Sequence, residues 1–418
     1  MARPICWDIC AEHLDEAAWL WGTWEGSLDS AVYVLSEVVA GPEENLLAHL
    51  DGLVQGGLPV AEKLLLPALG GDDPGAMAAA AWALVQAEDA DHQDVVIDTL
   101  ASAKPPARAA IARAMSLSPR ADLSRLVPLW NTGAPPVRAA VLDVFGPREP
   151  DWVRERINPA LRSGEAPVIA AGLRAIHRLR DRAFLDQVQV ALQSGDPEVR
   201  REAITTGIAL GSRAAWSVCR LAGRDPGEAC RLPLALLAMS PDPNDRALAR
   251  EKTKDPVATR HALWALGFAG DLESAELLIQ ALADEKAAPI AAEAFSAITG
   301  LAIAGELVEI SETKGANLKE VENDDPPPVV RSEDSLPVPQ VQALIDWWNK
   351  ERPRFRPGMR YLYGEPRHAQ SLRAALTAAP TWRREVLWLE LETMAGNAPS
   401  VDLKGWARDQ QGQLGHGR

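Results

Sequence analysis

Asp196-Pro-Glu-Val-Arg-Arg-Glu-Ala-Ile-Thr-Thr-Gly-Ile-Ala-Leu210 decides the fold, because its outline returns along most of the chain. An aspartate precedes a proline, a polar turn follows, and small or apolar residues then come back every three or four positions. The same outline is read in Asp255-Pro-Val-Ala-Thr-Arg-His-Ala-Leu-Trp-Ala-Leu266. Prolines recur at 74, 105, 135, 167, 197, 226, 256 and 289, spaced 29 to 33 residues apart. Six positions after each stands Ala80, Ile111, Val141, Leu173, Ala203, Leu232, Ala262 or Phe295, all apolar. Nine positions after stands Ala83, Ala114, Val144, Ile176, Thr206, Ala235, Ala265 or Ile298, with Thr206 the single polar member. One helical face is therefore small or apolar in every copy. Four of the prolines follow aspartate, at Asp73, Asp196, Asp225 and Asp255. An aspartate at N-cap accepts from the unpaired N–H groups of the first turn, and proline at the first helical position loses no hydrogen bond. Each proline is expected to open a helix, and the rest of each period, residues 274–283 for example, reads as its partner helix. A period near 30 residues accommodates two helices of about 12 residues and two turns.

The expected fold is all-α: an α-solenoid, a superhelix of helical hairpins, with atypical helical capping segments at both ends. One repeat cannot bury its apolar face alone, so stability has to come from stacked neighbours. Composition agrees. Alanine and leucine dominate, β-branched and aromatic residues are too sparse for a sheet-dominated protein, and the charged fraction of 24% is that of an ordered chain. The repeats resemble the HEAT repeat, particularly the short form found also in phycobiliprotein lyases, over roughly residues 60–302. The expected organisation is an acidic, tryptophan-rich helical cap at 1–60, HEAT-like repeats at 61–310, an acidic proline-rich loop or insert at 311–340, and a helical cap at 341–418. Arg108, Arg138 and Arg200 each sit three residues after a proline; they read either as a ligand-binding stripe or as an exposed row paired with neighbouring acids.

The chain carries a formal net charge of −15 over 418 residues, unevenly spread. Residues 1–60 hold ten acids and one base, and residues 311–340 hold seven acids and three bases, whereas residues 341–418 hold eight acids and twelve bases. A protein that binds nucleic acid directly is expected to present a basic surface. This one is expected to repel phosphate and attract a cationic partner. No run approaches 18 apolar residues, Met1-Ala-Arg-Pro-Ile-Cys-Trp-Asp8 lacks a hydrophobic leader core, and the four cysteines form no disulfide framework. The cytoplasm is the expected location, with no membrane association.

Both ends carry candidate binding residues. Glu12-His-Leu-Asp15-Glu16-Ala-Ala-Trp19-Leu-Trp21-Gly-Thr-Trp24 reads as an amphipathic helix. Its tryptophans pack the open end of the solenoid, or else they form an acid-rimmed aromatic surface with Glu12, Asp15 and Glu16 for a partner. The insert offers Asp324 and Asp325. Beyond it, Trp347 and Trp348 read as packing or contact residues, and Arg360, Tyr361 and Tyr363 as a cluster for an anion or a partner's acid.

Catalytic constellations are missing from the sequence. There is no glycine-rich phosphate loop, no Gly-x-Ser-x-Gly and no His-Glu-x-x-His. Cys6-x3-Cys10-x2-His13 is the one ligand-like cluster, and it lacks a fourth partner nearby in sequence. Glu43-Glu44 reads as a charged helix start with Pro42 at its first position. No enzyme activity, metal or cofactor is expected.

The His13…Trp21 helix, the Ala/Leu repeats, Leu336-Pro-Val-Pro339, Trp347-Trp348 and Gly358-Met-Arg-Tyr-Leu-Tyr-Gly364 together resemble a proteobacterial family of HEAT-repeat proteins associated with type VI secretion loci. Some members of that family are immunity proteins against nuclease toxins. The resemblance implies a non-catalytic scaffold that sequesters a basic toxin or effector, a nuclease encoded nearby. An adaptor or chaperone that loads an effector onto the secretion spike is the alternative reading, and a lyase or DNA-repair enzyme on a HEAT scaffold the distant one.

Overall fold

The computed structural model describes residues 5–87, 89–225, 230–309, 331–395 and 401–415. Pro226 of the repeat series and Asp324 and Asp325 of the insert lie outside the described residues. The chain opens with α1 (Trp7–Ser27). A helical run follows, made of α2 (Leu35–Val38), a π-helical turn at Val39–Glu43 and α3 (Glu44–Gln55). A second run is made of α4 (Gly57–Val60), a π-helical turn at Ala61–Leu65 and α5 (Leu66–Leu69). Next come α6 (Pro74–Gln86) and α7 (Ala90–Ser102), α8 (Ala107–Leu117) and α9 (Val127–Thr132), α10 (Pro135–Phe145) and α11 (Pro150–Leu161). The series continues with α12 (Ala166–Leu179) and α13 (Leu185–Ala191), α14 (Pro197–Ala209) and α15 (Arg213–Ala222), α16 (Arg231–Met239) and α17 (Pro243–Glu251). Helices α18 (Thr259–Leu266), α19 (Leu272–Ala281) and α20 (Ala288–Thr299) complete it. After α21 (Val341–Glu351) comes a small antiparallel ribbon, β1 (Tyr361–Leu362) with β2 (Glu365–Pro366), then α22 (Ala369–Ala378), α23 (Arg384–Ala395) and α24 (Ala407–Gly415).

The proline rule holds with informative exceptions. Pro74, Pro135 and Pro197 occupy the first position of α6, α10 and α14, and the Asp73 and Asp196 carboxylates accept from backbone N–H groups of the first turn. Pro167 and Pro289 stand one position further in. At Pro105 the next residue is also proline, which disfavours helical backbone at 105, and α8 begins only at Ala107. Asp255 turns its carboxylate on the Val257 N–H, 3.1 Å away, and a separate turn precedes α18. The same aspartate–proline chemistry at Asp242-Pro243 opens a partner helix, α17, which the 30-residue series passes over.

The resulting architecture is an all-α fold of many short helices that pack in pairs. The first helices of successive periods also pack on one another, α6 on α8, α8 on α10, α10 on α12 and α12 on α14, and again α16 on α18 and α18 on α20. This is consistent with a helical-repeat arrangement. The residues six and nine positions after the prolines, such as Ile111 and Ala114 or Val141 and Val144, are buried, apart from the half-buried Leu232.

The chain divides into two compact units. The first comprises Met1–Leu28, Leu35–Val218 and Asn397–Arg418; the second comprises Asp29–Val34 and Cys219–Gly396. Each has its own core. The first is closed by α1, which packs on α3 and α6. In the second, the α20 face that buries Phe295 meets Trp348 of α21, with ring centroids 5.3 Å apart. Among the described residues no helix is long and apolar enough to cross a membrane.

Candidate interaction surface

Helix α1 sorts its residues by helical angle. Ala17, Leu20, Trp21, Trp24 and Ser27, at intervals of three and four, are its buried side. Glu12, Asp15, Glu16 and Trp19 follow the same intervals on another side, and all four are exposed. Trp19 is 67% exposed, the most accessible tryptophan of the molecule's large exposed apolar side chains. An indole left in water beside three carboxylates is the feature that distinguishes this face.

A groove of about 540 Å³ lies along it, in the first unit. Leu14, Ala18, Ala68 and Ala76 line it together with Trp19, Asp15 and Asp73. Small residues make the groove possible. Gly75, at the start of α6, lies so close to α1 that a Cβ there would meet the Ala18 carbonyl oxygen at 2.3 Å. Asp73 caps α6, one carboxylate oxygen accepting from the Gly75 N–H at 2.8 Å. Asp15 makes no ion pair among the described residues. Apolar side chains, an indole and two carboxylates suit a lysine or arginine side chain, whose stem is apolar and whose head is cationic. The same helix already receives one cation: Lys63 Nζ lies 3.9 Å from the centre of the Trp7 ring.

Trp21 and Trp24 serve packing instead. They form a cluster with Trp406, which Trp24 meets at 4.7 Å between ring centres and Trp21 at 6.4 Å. Trp406 donates its Nε1–H to the Leu117 carbonyl at 3.1 Å. The buried Glu43 carboxylate ties this cluster together. It accepts from Trp24 Nε1 at 2.9 Å and from the backbone N–H groups of Ala407 and Arg408 at 2.5 and 2.9 Å, so it caps α24. Glu43-Glu44 does not open the helical run, which begins at Leu35 and passes through these residues into α3. Pro42 sits inside the π-helical turn, where the wider backbone pairing accommodates its missing N–H. Trp406 did not stand out in the sequence, and Glu43 was read there only as part of a charged helix start. The signal that could have found them is weak: a buried indole needs an acceptor, and an acid within a helical run flanked by apolar residues can supply one.

In the second unit the candidate residues are largely interior. Trp348, Tyr361 and Phe355 pack in series from Phe295, with Trp347 half-buried at the edge of the same stack. Arg360 donates to the carbonyls of Met239, Phe268 and Ala269 at 2.8 to 3.0 Å. These carbonyls stand at helix C-terminal ends, where a cation is favoured. Burial and the neighbouring Arg367 charge disfavour its ionised form, and Glu390, 3.6 Å away, opposes them. Tyr363 and Gly364 both adopt positive φ, 50° and 82°, and form the two-residue turn of the ribbon. Their N–H groups donate to the carbonyls of Ala297 and Ile298 at 2.8 and 2.9 Å, closing the end of α20. Burial pushes the Tyr363 phenol pKa up, and its hydroxyl has no hydrogen-bond partner among the described residues. The Arg360–Tyr363 cluster offers its cation and backbone to helix ends, which leaves little of it for an external anion. Nearby, Arg383 pairs with Glu293 through Nε at 2.6 Å, and Arg367 pairs with Glu390.

The arginines that follow the repeat prolines also turn inward. Arg108 donates to the Leu100 and Ala103 carbonyls, Arg200 to the Ser194 carbonyl, and Arg138 lies 5.0 Å from the Trp130 ring centre. His13 and His49 join α1 to α3, their Nδ1 atoms 3.1 Å apart, with Cys6 exposed and Cys10 half-buried. Among the described residues no three histidine, cysteine or acidic side chains are placed to share a metal ion.

No protein-family model matches this chain, and no curated protein matches it significantly.

Proposed function

We propose that the protein is a HEAT-like α-solenoid of helical hairpins that binds and neutralises a cationic protein through the acidic face of α1. In this reading it is an immunity-type protein of a type VI secretion locus, acting in the cytoplasm on a basic toxin, a nuclease encoded nearby. The observation that carries the reading is Trp19, 67% exposed beside Glu12, Asp15 and Glu16 and over the groove that holds Asp73. Tryptophan is enriched at interface hot spots, and a dense acidic patch steers a basic partner toward it. The overall charge of −15 supports the same partner class.

Co-expression with the effector encoded beside the gene tests this. Neutralisation restores growth to cells that make the toxin, and Trp19→Ala abolishes the rescue without changing the amount of folded protein. A complex that forms without rescue identifies a loading adaptor instead. Absence of any complex refutes both readings.

A further inference from the structure

A second cleft, of about 580 Å³, opens in the first unit away from the acidic groove, beside the buried tryptophan cluster. Its size is that of a small-molecule site. Trp82 and Trp406 line it together with Arg120, Arg148, Arg408, Asp51 and Asp409, a small positive excess in a chain of net −15. Two of these arginines hold helix ends. Arg120 donates to the Gln86 carbonyl at 3.1 Å, and Arg148 donates to the carbonyls of Ser118, Pro119 and Ala121 at 2.8 to 3.2 Å. The Leu117 carbonyl is taken by Trp406. Carbonyl ends ordinarily repel an anion, but here each of these already has a donor.

Several charged side chains of the cleft make no ion pair among the described residues. Arg148 makes no ion pair among the described residues, and its burial disfavours the charged form, offset only by Glu149. The exposed Arg408 side chain likewise makes no ion pair among the described residues, nor do Asp51 and Asp409, which also border the cleft. Trp82 is only 6% exposed, and its buried Nε1–H has no acceptor among the described residues.

We propose that this cleft binds a small ring-bearing anion, a carboxylate or a phosphate, whose charge is met by Arg408 and Arg148 and whose ring packs against the indoles. The site is independent of the α1 face and of the partner proposed for it.

Titration calorimetry of the full-length protein with three probes sharing one ring tests the proposal: benzoate, phenyl phosphate and the neutral benzamide. At least one anion should bind at millimolar or lower concentration and benzamide should not; the tighter anion identifies the head group. Arg408→Gln, a change at an exposed position, should weaken that binding about tenfold or more, as loss of a charge-assisted hydrogen bond does. The proposal is overturned if neither anion binds, if benzamide binds as well as they do, or if Arg408→Gln leaves the anion's affinity unchanged.

Discussion

Helix α1 in the first unit and the 347–367 segment in the second both set aromatic rings among charged residues, and they use them differently. In α1 the two kinds of residue separate by helical angle, so Trp21 and Trp24 enter the core while Trp19 stays outside with its acids. In the 347–367 segment, Trp348, Tyr361, Arg360 and Arg367 are drawn inward together, because the helix ends of this unit present carbonyls and acids that need donors. A cation beside an aromatic ring is therefore a closure device in one unit. On the outer face of α1, acids beside an aromatic ring are a free surface. Both are rich in aromatic and charged residues, but α1 is acidic and the 347–367 segment basic, and helix-end carbonyls can take up a cation and not an acid.

The comparison breaks first at the buried pairs. Arg383→Ala leaves the Glu293 carboxylate without its partner and is expected to cost about 3–5 kcal/mol in urea unfolding, as removal of one member of a buried ion pair does. Gly267, where a Cβ would meet the Arg383 guanidinium at 2.6 Å, should tolerate alanine poorly for the same reason. In the first unit, Trp24→Ala removes a buried ring and the Glu43 hydrogen bond and should cost about 3–5 kcal/mol. Trp19→Ala should fall within about 0.5 kcal/mol of wild type. Equal destabilisation by the two α1 variants would erase the distinction between its faces.

A smaller effect is expected at Glu43. Glu43→Gln keeps the shape but weakens the cap of α24 and the bond from Trp24, with an expected cost of about 1–3 kcal/mol read from thermal unfolding. The smallest is a pH effect in the second unit. Desolvation raises the Asp271 pKa, but bonds from Ser274 and the charges of Arg250 and Arg246 outweigh it, and the net shift is downward. A carboxylate depressed in the folded state contributes stability above its unfolded pKa, near 4, and loses it as pH falls through the folded value. The thermal midpoint of wild type should therefore decline on acidification below about pH 4 more steeply than that of Asp271→Asn. Parallel profiles would mean that the Asp271 pairs contribute no linkage.

The helical class and the positions of most first helices were legible because proline and aspartate act locally: the N-cap bond and the missing N–H depend on adjacent residues alone. Pro105 and Pro256 show where that reading slips, since a neighbouring proline or a competing turn moves the start by two or three residues. The exposed face of α1 was also legible, because 12, 15, 16 and 19 share a helical stripe. The inward roles of Arg360, Arg148 and Glu43 were not. Each depends on a carbonyl, ring or helix end between about 30 and 360 positions away in sequence, as Glu43 to Ala407 and Arg148 to Ser118 illustrate. Side-chain chemistry of that range is settled by tertiary packing, and a charged residue on paper gives no sign of which helix end it will close.

The most direct test of the proposed acidic capture surface is the association rate of the proposed cationic effector with wild type and with the Glu12→Lys, Asp15→Lys, Glu16→Lys triple variant, measured at low and at physiological salt. All three positions are exposed, so helical content and melting temperature should be unchanged. Wild type should associate at least about tenfold faster than the variant at low salt, and its advantage should shrink as salt rises. An unaltered association rate for the variant at low salt would contradict the assignment of recognition to α1 and transfer it to another face of the repeats.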